Sequence, residues 1–192
     1  MSLPRLLLPR RHLDERGWLA ETFHHARLRA LGIDCSFVQD NQSYSNRTGT
    51  LRGMHFQRPP AEQAKLISVG RGRIFDVVVD IRRNSPTFGK HVSVELSAES
   101  GLQLYIPPGF AHGFLTLEDD VVVNYKLSAF YTPAHEGGIR WDDPEVGAAW
   151  PITANAVTLS DKDWQLPLLK NLDSPFAYDG APLSPLPAPE GF

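Results

Sequence analysis

Cysteine is almost missing: Cys35 is the one thiol in 192 residues, so neither an intrachain disulfide nor a thiolate metal cage can form. That usage fits a reducing compartment, and a cytoplasmic location is expected. Long apolar runs are lacking as well. No stretch approaches the roughly 18 to 20 apolar residues of a membrane helix. The start, MSLPRLLLPRR, is interrupted by Pro4, Arg5 and Pro9 without a small-residue cleavage site, and it is not expected to act as a signal peptide. Basic charge is not in excess either. Nineteen Lys and Arg against 22 Asp and Glu leave a net charge of -3, so the electrostatic footprint of a nucleic-acid binder is absent. An anionic ligand must then be gripped by a few placed cations rather than by the field of the whole surface.

What is present is an ordinary globular balance, with 42% hydrophobic and 21% charged residues. At this length it predicts a single domain over residues 1–180. Residues 181–192 hold four prolines and little that packs, and form a mobile or extended arm in this reading. Sixteen prolines and 15 glycines punctuate short apolar runs, which favours strands and turns over long helices. Strands are expected at Lys65 to Val69, Ile74 to Ile81, Val92 to Leu96, Leu102 to Ile106 and Val121 to Leu127, each rich in β-branched or aromatic residues. Gly70-Arg71-Gly72 reads as a hairpin turn between the first two. Helical spacing is confined to His24 to Leu31 and to a piece starting near Ser160. So many short strands must close on themselves or pack as two sheets. The expected fold is mainly β, a jelly-roll barrel with short peripheral helices.

Several residues carry chemical potential. Alternation along Ile74 to Ile81 sets Asp76 and Asp80 on one strand face and Phe75, Val77, Val79 and Ile81 on the other. The acidic face is either wetted or part of a polar barrel interior, where carboxylates need partners. In Leu51-Arg52-Gly53-Met54-His55-Phe56-Gln57, strict alternation separates Arg52 from His55, although Gly53 is a place for a bulge that re-aims one of them. His55 alone is as consistent with a packing role. Lys65 opens an apolar strand and has the option of snorkelling to its rim. Tyr125 shares a face with Val121, Val123 and Leu127, as a core tyrosine would. Ser160-Asp161-Lys162-Asp163 has the form of a capping box, which accounts for Asp163 without catalysis.

Pro107-Pro108-Gly109-Phe110-Ala111-His112 has the spacing Pro-x-Gly-x-x-His and resembles the second motif of the cupin superfamily. Many cupins hold a divalent metal through three histidines and a carboxylate. Here the companion His-x-His is broken, because Gln57 stands two residues after His55. Metal binding is the minority reading.

A run of ordered motifs resembles the dTDP-4-dehydrorhamnose 3,5-epimerase family: Asp14 to Gly17, Phe37 to Asn41, Leu51 to Gln57, Phe75 to Arg82, Ser85 to Gly89 and Ile106 to Phe114. The likeness continues through Tyr125-Lys126, Trp141, Asp143, Trp150-Pro151 and Leu159 to Asp163, so it spans residues 14–168. It implies a cupin-like jelly roll working as a homodimer without metal or other cofactor. The implied substrate is a dTDP-linked 4-keto-6-deoxy sugar, inverted at C3 and C5 through enolates. The same resemblance implies His55 as base, Asp163 as its orienting partner, Lys65 as oxyanion stabiliser, Tyr125 as acid on the opposite face and Asp76 as supporting carboxylate. Substrate-binding roles fall on Arg16, Glu21, Gln39, Asn41, Arg52, His112, Phe130 and Glu136, the two arginines gripping the diphosphate.

This cast suits the reaction. Removing a proton next to a ketone needs a base near neutral pKa. The resulting oxyanion needs a preorganised cation or donor, and inversion needs a second proton donor across the ring. Two departures from the family pattern stand out: Phe130 replaces the first of two consecutive tyrosines, and Leu19 replaces an aromatic. A single-centre epimerase, a sugar-binding cupin without catalysis and a metal-dependent cupin are the alternatives.

Overall fold

The computed structural model describes residues 3–153 and 156–192. Among them, alternating β-branched and aromatic residues form thirteen strands: β1 (Arg5–Leu8), β2 (Arg11–Asp14), β3 (Gly17–Ala20), β4 (Gln39–Ser45), β5 (Leu51–Gln57), β6 (Lys65–Arg71), β7 (Arg73–Asp80), β8 (His91–Ser97), β9 (Gln103–Ile106), β10 (Phe110–Thr116), β11 (Val121–Leu127), β12 (Glu136–Gly138) and β13 (Glu190–Gly191). Two short helices, α1 (His25–Ala30) and α2 (Asp161–Trp164), lie where the helical spacing is read. A six-stranded sheet runs β13-β1-β9-β6-β11-β4, a five-stranded sheet runs β12-β5-β10-β7-β8, and β2 and β3 form a separate hairpin. This is a cupin-like jelly roll, mainly β as expected.

Ile67, Leu104, Ile106, Val78, Phe114 and Val123 meet between the sheets. The other face of the five-stranded sheet presents Met54, Phe56, Val77, Val79 and Ile81 to Ile139, Leu169 and Phe176 of the C-terminal segment. Each fully buried side chain of this size adds about 1.5–3 kcal/mol. Asp76 and Asp80 therefore lie on the inner face, and both are fully buried. They do not act as a pair. Asp80 Oδ1 and Oδ2 accept from Arg82 at 3.0 and 2.8 Å, and Oδ2 also accepts from Ser85 and Thr87. Asp76 instead belongs to a separate cluster around His112.

Gly70-Arg71-Gly72 does reverse the chain, with Gly72 at φ +81, but it makes no hairpin. β6 pairs with β9 and β11, whereas β7 pairs with β8 and β10. The turn carries the chain from one sheet to the other. Composition encodes a reversal of direction, but pairing is decided by partners distant in sequence. The proline-rich residues 181–192, expected to hold little that packs, rest on the body. Leu183 N–H donates to Thr87 Oγ1 at 2.8 Å, Leu183 and Leu186 pack on the inter-sheet cluster, and β13 runs parallel to β1.

Candidate active site

The site begins with an irregularity in β5. His112 pairs with His55 and Phe114 with Arg52, so Gly113 alone of β10 faces both Gly53 and Met54. This one-residue bulge returns Arg52 and His55 to the same side of the sheet, and both line one cavity of about 820 Å3. Glycine is required for it. Gly53 has φ +136, and a Cβ there would lie 2.4 Å from Gly113 Cα, closer than packed atoms approach.

A bridge between Thr50 and Thr158 brings the chain beyond residue 156 alongside β5: Leu51 N–H donates to Thr158 O at 2.9 Å and Thr158 N–H to Gly49 O at 2.8 Å. Ser160 then caps α2, its Oγ accepting from Asp163 N–H at 3.2 Å. The capping reading thus holds for the backbone of Asp163, while its carboxylate turns to β5. Asp163 Oδ1 lies 2.7 Å from His55 Nε2, and Oδ2 accepts from Gly53 N–H at 3.3 Å. Burial alone would raise the Asp163 pKa, but the hydrogen bond and charge of His55, the Gly53 amide and Lys162 hold it below its ordinary value. An ionised carboxylate can only accept, so the His55 proton sits on Nε2 and its free lone pair is on Nδ1.

Lys65, at the start of β6, does not reach the rim. Its Nζ donates to His55 O at 3.1 Å. Burial lowers its pKa to about 8, against the pull of Asp76 and Glu136. Behind it His112 Nε2 lies 3.0 Å from Asp76 Oδ2. Burial raises the pKa of Asp76, with His112 and Lys65 opposing, and it lowers that of His112, with Asp76 opposing. At this end the inner face of the barrel is polar: Asp76 bonds His112 through Oδ2 and feels the charge of Lys65, while its Oδ1 has no hydrogen-bond partner among the described residues.

Tyr125 on β11 lines the same cavity as His55. Its hydroxyl is 3.1 Å from Ser43 Oγ on β4. Burial raises its pKa to about 12, against the Ser43 hydrogen bond and the Arg52 charge, so the phenol is protonated at neutral pH. Arg52 donates to Tyr44 O at 3.1 Å and keeps an exposed guanidinium at the cavity. Asn41 also lines it, accepting from Gln39 Nε2 at 2.9 Å. Gln39 accepts in turn from Tyr131 N–H at 2.8 Å. Glu136 accepts from Lys162 at 2.5 Å and from the Tyr131 hydroxyl at 2.9 Å.

Lys162 and Ser43 line the cavity although the sequence reading gave them no role. Lys162 was legible only as the neighbour of Asp163.

Other expected binding residues are not gathered with His55 in this chain. Arg16 lies exposed at the tip of the β2–β3 hairpin and pairs with Asp14 at 2.5 Å. Glu21 follows β3 and pairs with Arg27 at 3.2 Å. Phe130 is 68% exposed outside the cavity lining. A second hollow of about 580 Å3, on the outer face of the six-stranded sheet, is lined by Arg11, Trp18, Ser68, Gln103 and Asn124 and by the Lys126–Asp40 ion pair; it shares Asn41 and Tyr125 with the first but has no histidine in its lining.

Among the described residues no group of three or more His, Cys, Asp or Glu is arranged to hold a metal ion. His55 and His112 are each engaged with a carboxylate, and Gln57 spends its amide on backbone groups.

A cupin-like jelly roll with an imidazole–carboxylate pair and a protonated phenol at one cavity, and a lysine bound to the backbone carbonyl of that histidine, has the makings of an acid–base enzyme of the isomerase type. The family model described as dTDP-4-dehydrorhamnose 3,5-epimerase matches residues 4–171, and the chain belongs to that family. A dTDP-4-dehydrorhamnose 3,5-epimerase from Sinorhizobium fredii is 48% identical over 174 residues, 91% of this chain and 89% of that protein. The structure of dTDP-6-deoxy-D-glucose-3,5-epimerase from Legionella pneumophila, in complex with dTDP-4-keto-L-rhamnose, is 40% identical. It superposes with a TM-score of 0.85 over 92% of this chain and 100% of that one. A 3'-monoepimerase from Streptomyces bikiniensis in complex with dTDP-quinovose is 38% identical, with a TM-score of 0.80 over 88% and 86% of the two chains.

Proposed function

We propose that the protein converts dTDP-4-dehydro-6-deoxy-D-glucose to dTDP-4-dehydro-L-rhamnose by inverting C3 and C5. The observation that carries the reading is that the His55–Asp163 pair and Tyr125 border a single cavity, so one bound ring meets a base and an acid together. His55 Nδ1 takes the proton from carbon α to the C4 ketone, and Asp163 holds the ring and offsets the imidazolium charge. The electron pair moves to the C4 oxygen. Lys65 and His112 stabilise that enolate in a low-dielectric pocket, where a fixed cation acts more strongly than in water. Tyr125 then delivers a proton to the other face of the carbon. Asp76 supports Lys65 and His112 through its charge.

Arg52 grips the diphosphate with its planar guanidinium, while Asn41, Gln39, Phe130 and Glu136 border the nucleotide sugar. Arg16 and Glu21 serve the neighbouring subunit of a homodimer. This assignment is supported by their place on an exposed hairpin that also presents Leu13, Trp18 and Leu19 to solvent, an apolar patch suited to burial between chains. Among the described residues no helix is long and apolar enough to cross a membrane.

Incubating the 4-keto sugar nucleotide in heavy water with the protein tests the reading. Deuterium is expected at both C3 and C5 of the product. Label at one carbon alone would replace the double epimerase by the single-centre enzyme that Phe130 and the similarity to the monoepimerase favour. Absence of any exchange would overturn both.

A further inference from the structure

Gln57 is buried, 4% exposed, and stands on β5 two residues beyond the base. Its side chain is fully engaged. Nε2 donates to Ala61 O at 2.6 Å and to Phe130 O at 3.2 Å, and Oε1 accepts from Thr132 N–H at 2.7 Å. Two more glutamines complete the pattern. Gln63 Nε2 donates to Ala129 O at 2.8 Å and Gln39 Oε1 accepts from Tyr131 N–H at 2.8 Å. Among the described residues, Ala129, Phe130 and Tyr131 make no backbone–backbone hydrogen bond. The segment between β11 and the 3-10 turn at Pro133–His135 is therefore positioned by side-chain amides, and Gln57 alone holds it at two points. The segment carries the exposed rings of Phe130 and Tyr131. It adjoins the cavity through Tyr131, Glu136 and the cavity residue Lys162.

We infer that Gln57 is a positioning residue for nucleotide recognition, acting through the Phe130–Thr132 segment and not through the reacting carbon. The inference rests on the reading of Phe130 as a wall of the nucleotide site. A backbone carbonyl and an amide that lose their shared partner must seek water, which costs the ordered loop more than the loss of one surface bond. The Phe130 ring then spends less time in the binding geometry, and affinity falls by the fraction of competent loop. The position is also where a metal-binding cupin needs its second histidine. Here the same inward direction holds a loop.

The test compares wild type with Gln57→Met, of similar volume but without the amide, and Gln57→Glu, which keeps the acceptor for Thr132 and loses both donors. Steady-state kinetics with the dTDP-linked keto sugar and calorimetric binding of dTDP are read alongside the pH dependence of kcat. Gln57→Met is expected to raise KM and the dTDP Kd about tenfold, equivalent to losing one ordinary hydrogen bond. It should leave kcat and its pH profile unchanged, and Gln57→Glu should fall between. In a Phe130→Ala background the Gln57 substitutions should add nothing to the dTDP Kd, because the ring they position is gone. A kcat loss at unchanged KM, or additive effects in the double variants, would overturn the inference. Should Gln57→Met not fold, the same readings on Gln57→Glu decide. Failure of the wider reading looks different, since the wild-type protein itself would then neither bind dTDP nor exchange deuterium.

Discussion

Lys65 is the residue whose charge is most finely balanced. Burial brings its pKa to about 8 while Asp76 and Glu136 draw it upward, so the ammonium is present below that pH and lost above it. An enolate-stabilising role then requires kcat/KM to decline as pH rises beyond about 8. Tyr125, raised to about 12, contributes nothing in that range, and Asp163, held below its ordinary value, stays ionised throughout it. The limb therefore belongs to the lysine. Lys65→Arg, which keeps its charge at all accessible pH, is expected to abolish the alkaline decline while working more slowly because the larger head fits the pocket poorly. A pH–rate profile in which the decline survives the substitution would assign it elsewhere.

At the scale of the strand, the bulge at Gly53 makes the site possible. Gly53→Ala forces a Cβ against Gly113 and a side chain into φ +136, with an expected loss of about 1–3 kcal/mol of stability. Because relieving the clash shifts β5 against β10, kcat should fall more than the population of folded protein does. Thermal melting and turnover of the same sample check this, and equal losses in both would mean that only the fold is affected. The five strands expected from alternation coincide with β6, β7, β8, β9 and β11, since a β-branched pattern reports local conformation directly. The bulge was legible as a possibility, because a glycine between Arg52 and His55 permits it, but its presence depends on what β10 offers opposite. Asp163 illustrates the limit. Its capping role is local and readable, whereas its bond to His55 spans 108 residues, and only the family likeness pointed to it. The wrongly read hairpin at Gly70–Gly72 fails for the same reason, since pairing is non-local.

Across the whole molecule, the C-terminal segment is tied back to β7 and to β1. Arg82, fully buried, joins Asp80 on β7 to Asp179 at 2.8 Å, just before the final extended segment. Arg5 on β1 pairs with Glu190 on β13. The β2–β3 hairpin, by contrast, carries Arg16 exposed at its tip, outside the lining of the cavity that holds His55. If each pocket borrows its second arginine from the neighbouring chain, the protein has the logic of genetic complementation. A chain crippled at Arg16 and a chain crippled at His55 would each be nearly silent alone. After unfolding together and refolding, half of the pairs would be hybrids, and one of the two pockets in each hybrid would inherit only sound parts. Activity should then return to about a quarter of the native value, as random assortment of two subunits dictates, whereas a chain that fills its own pocket would stay silent in any mixture.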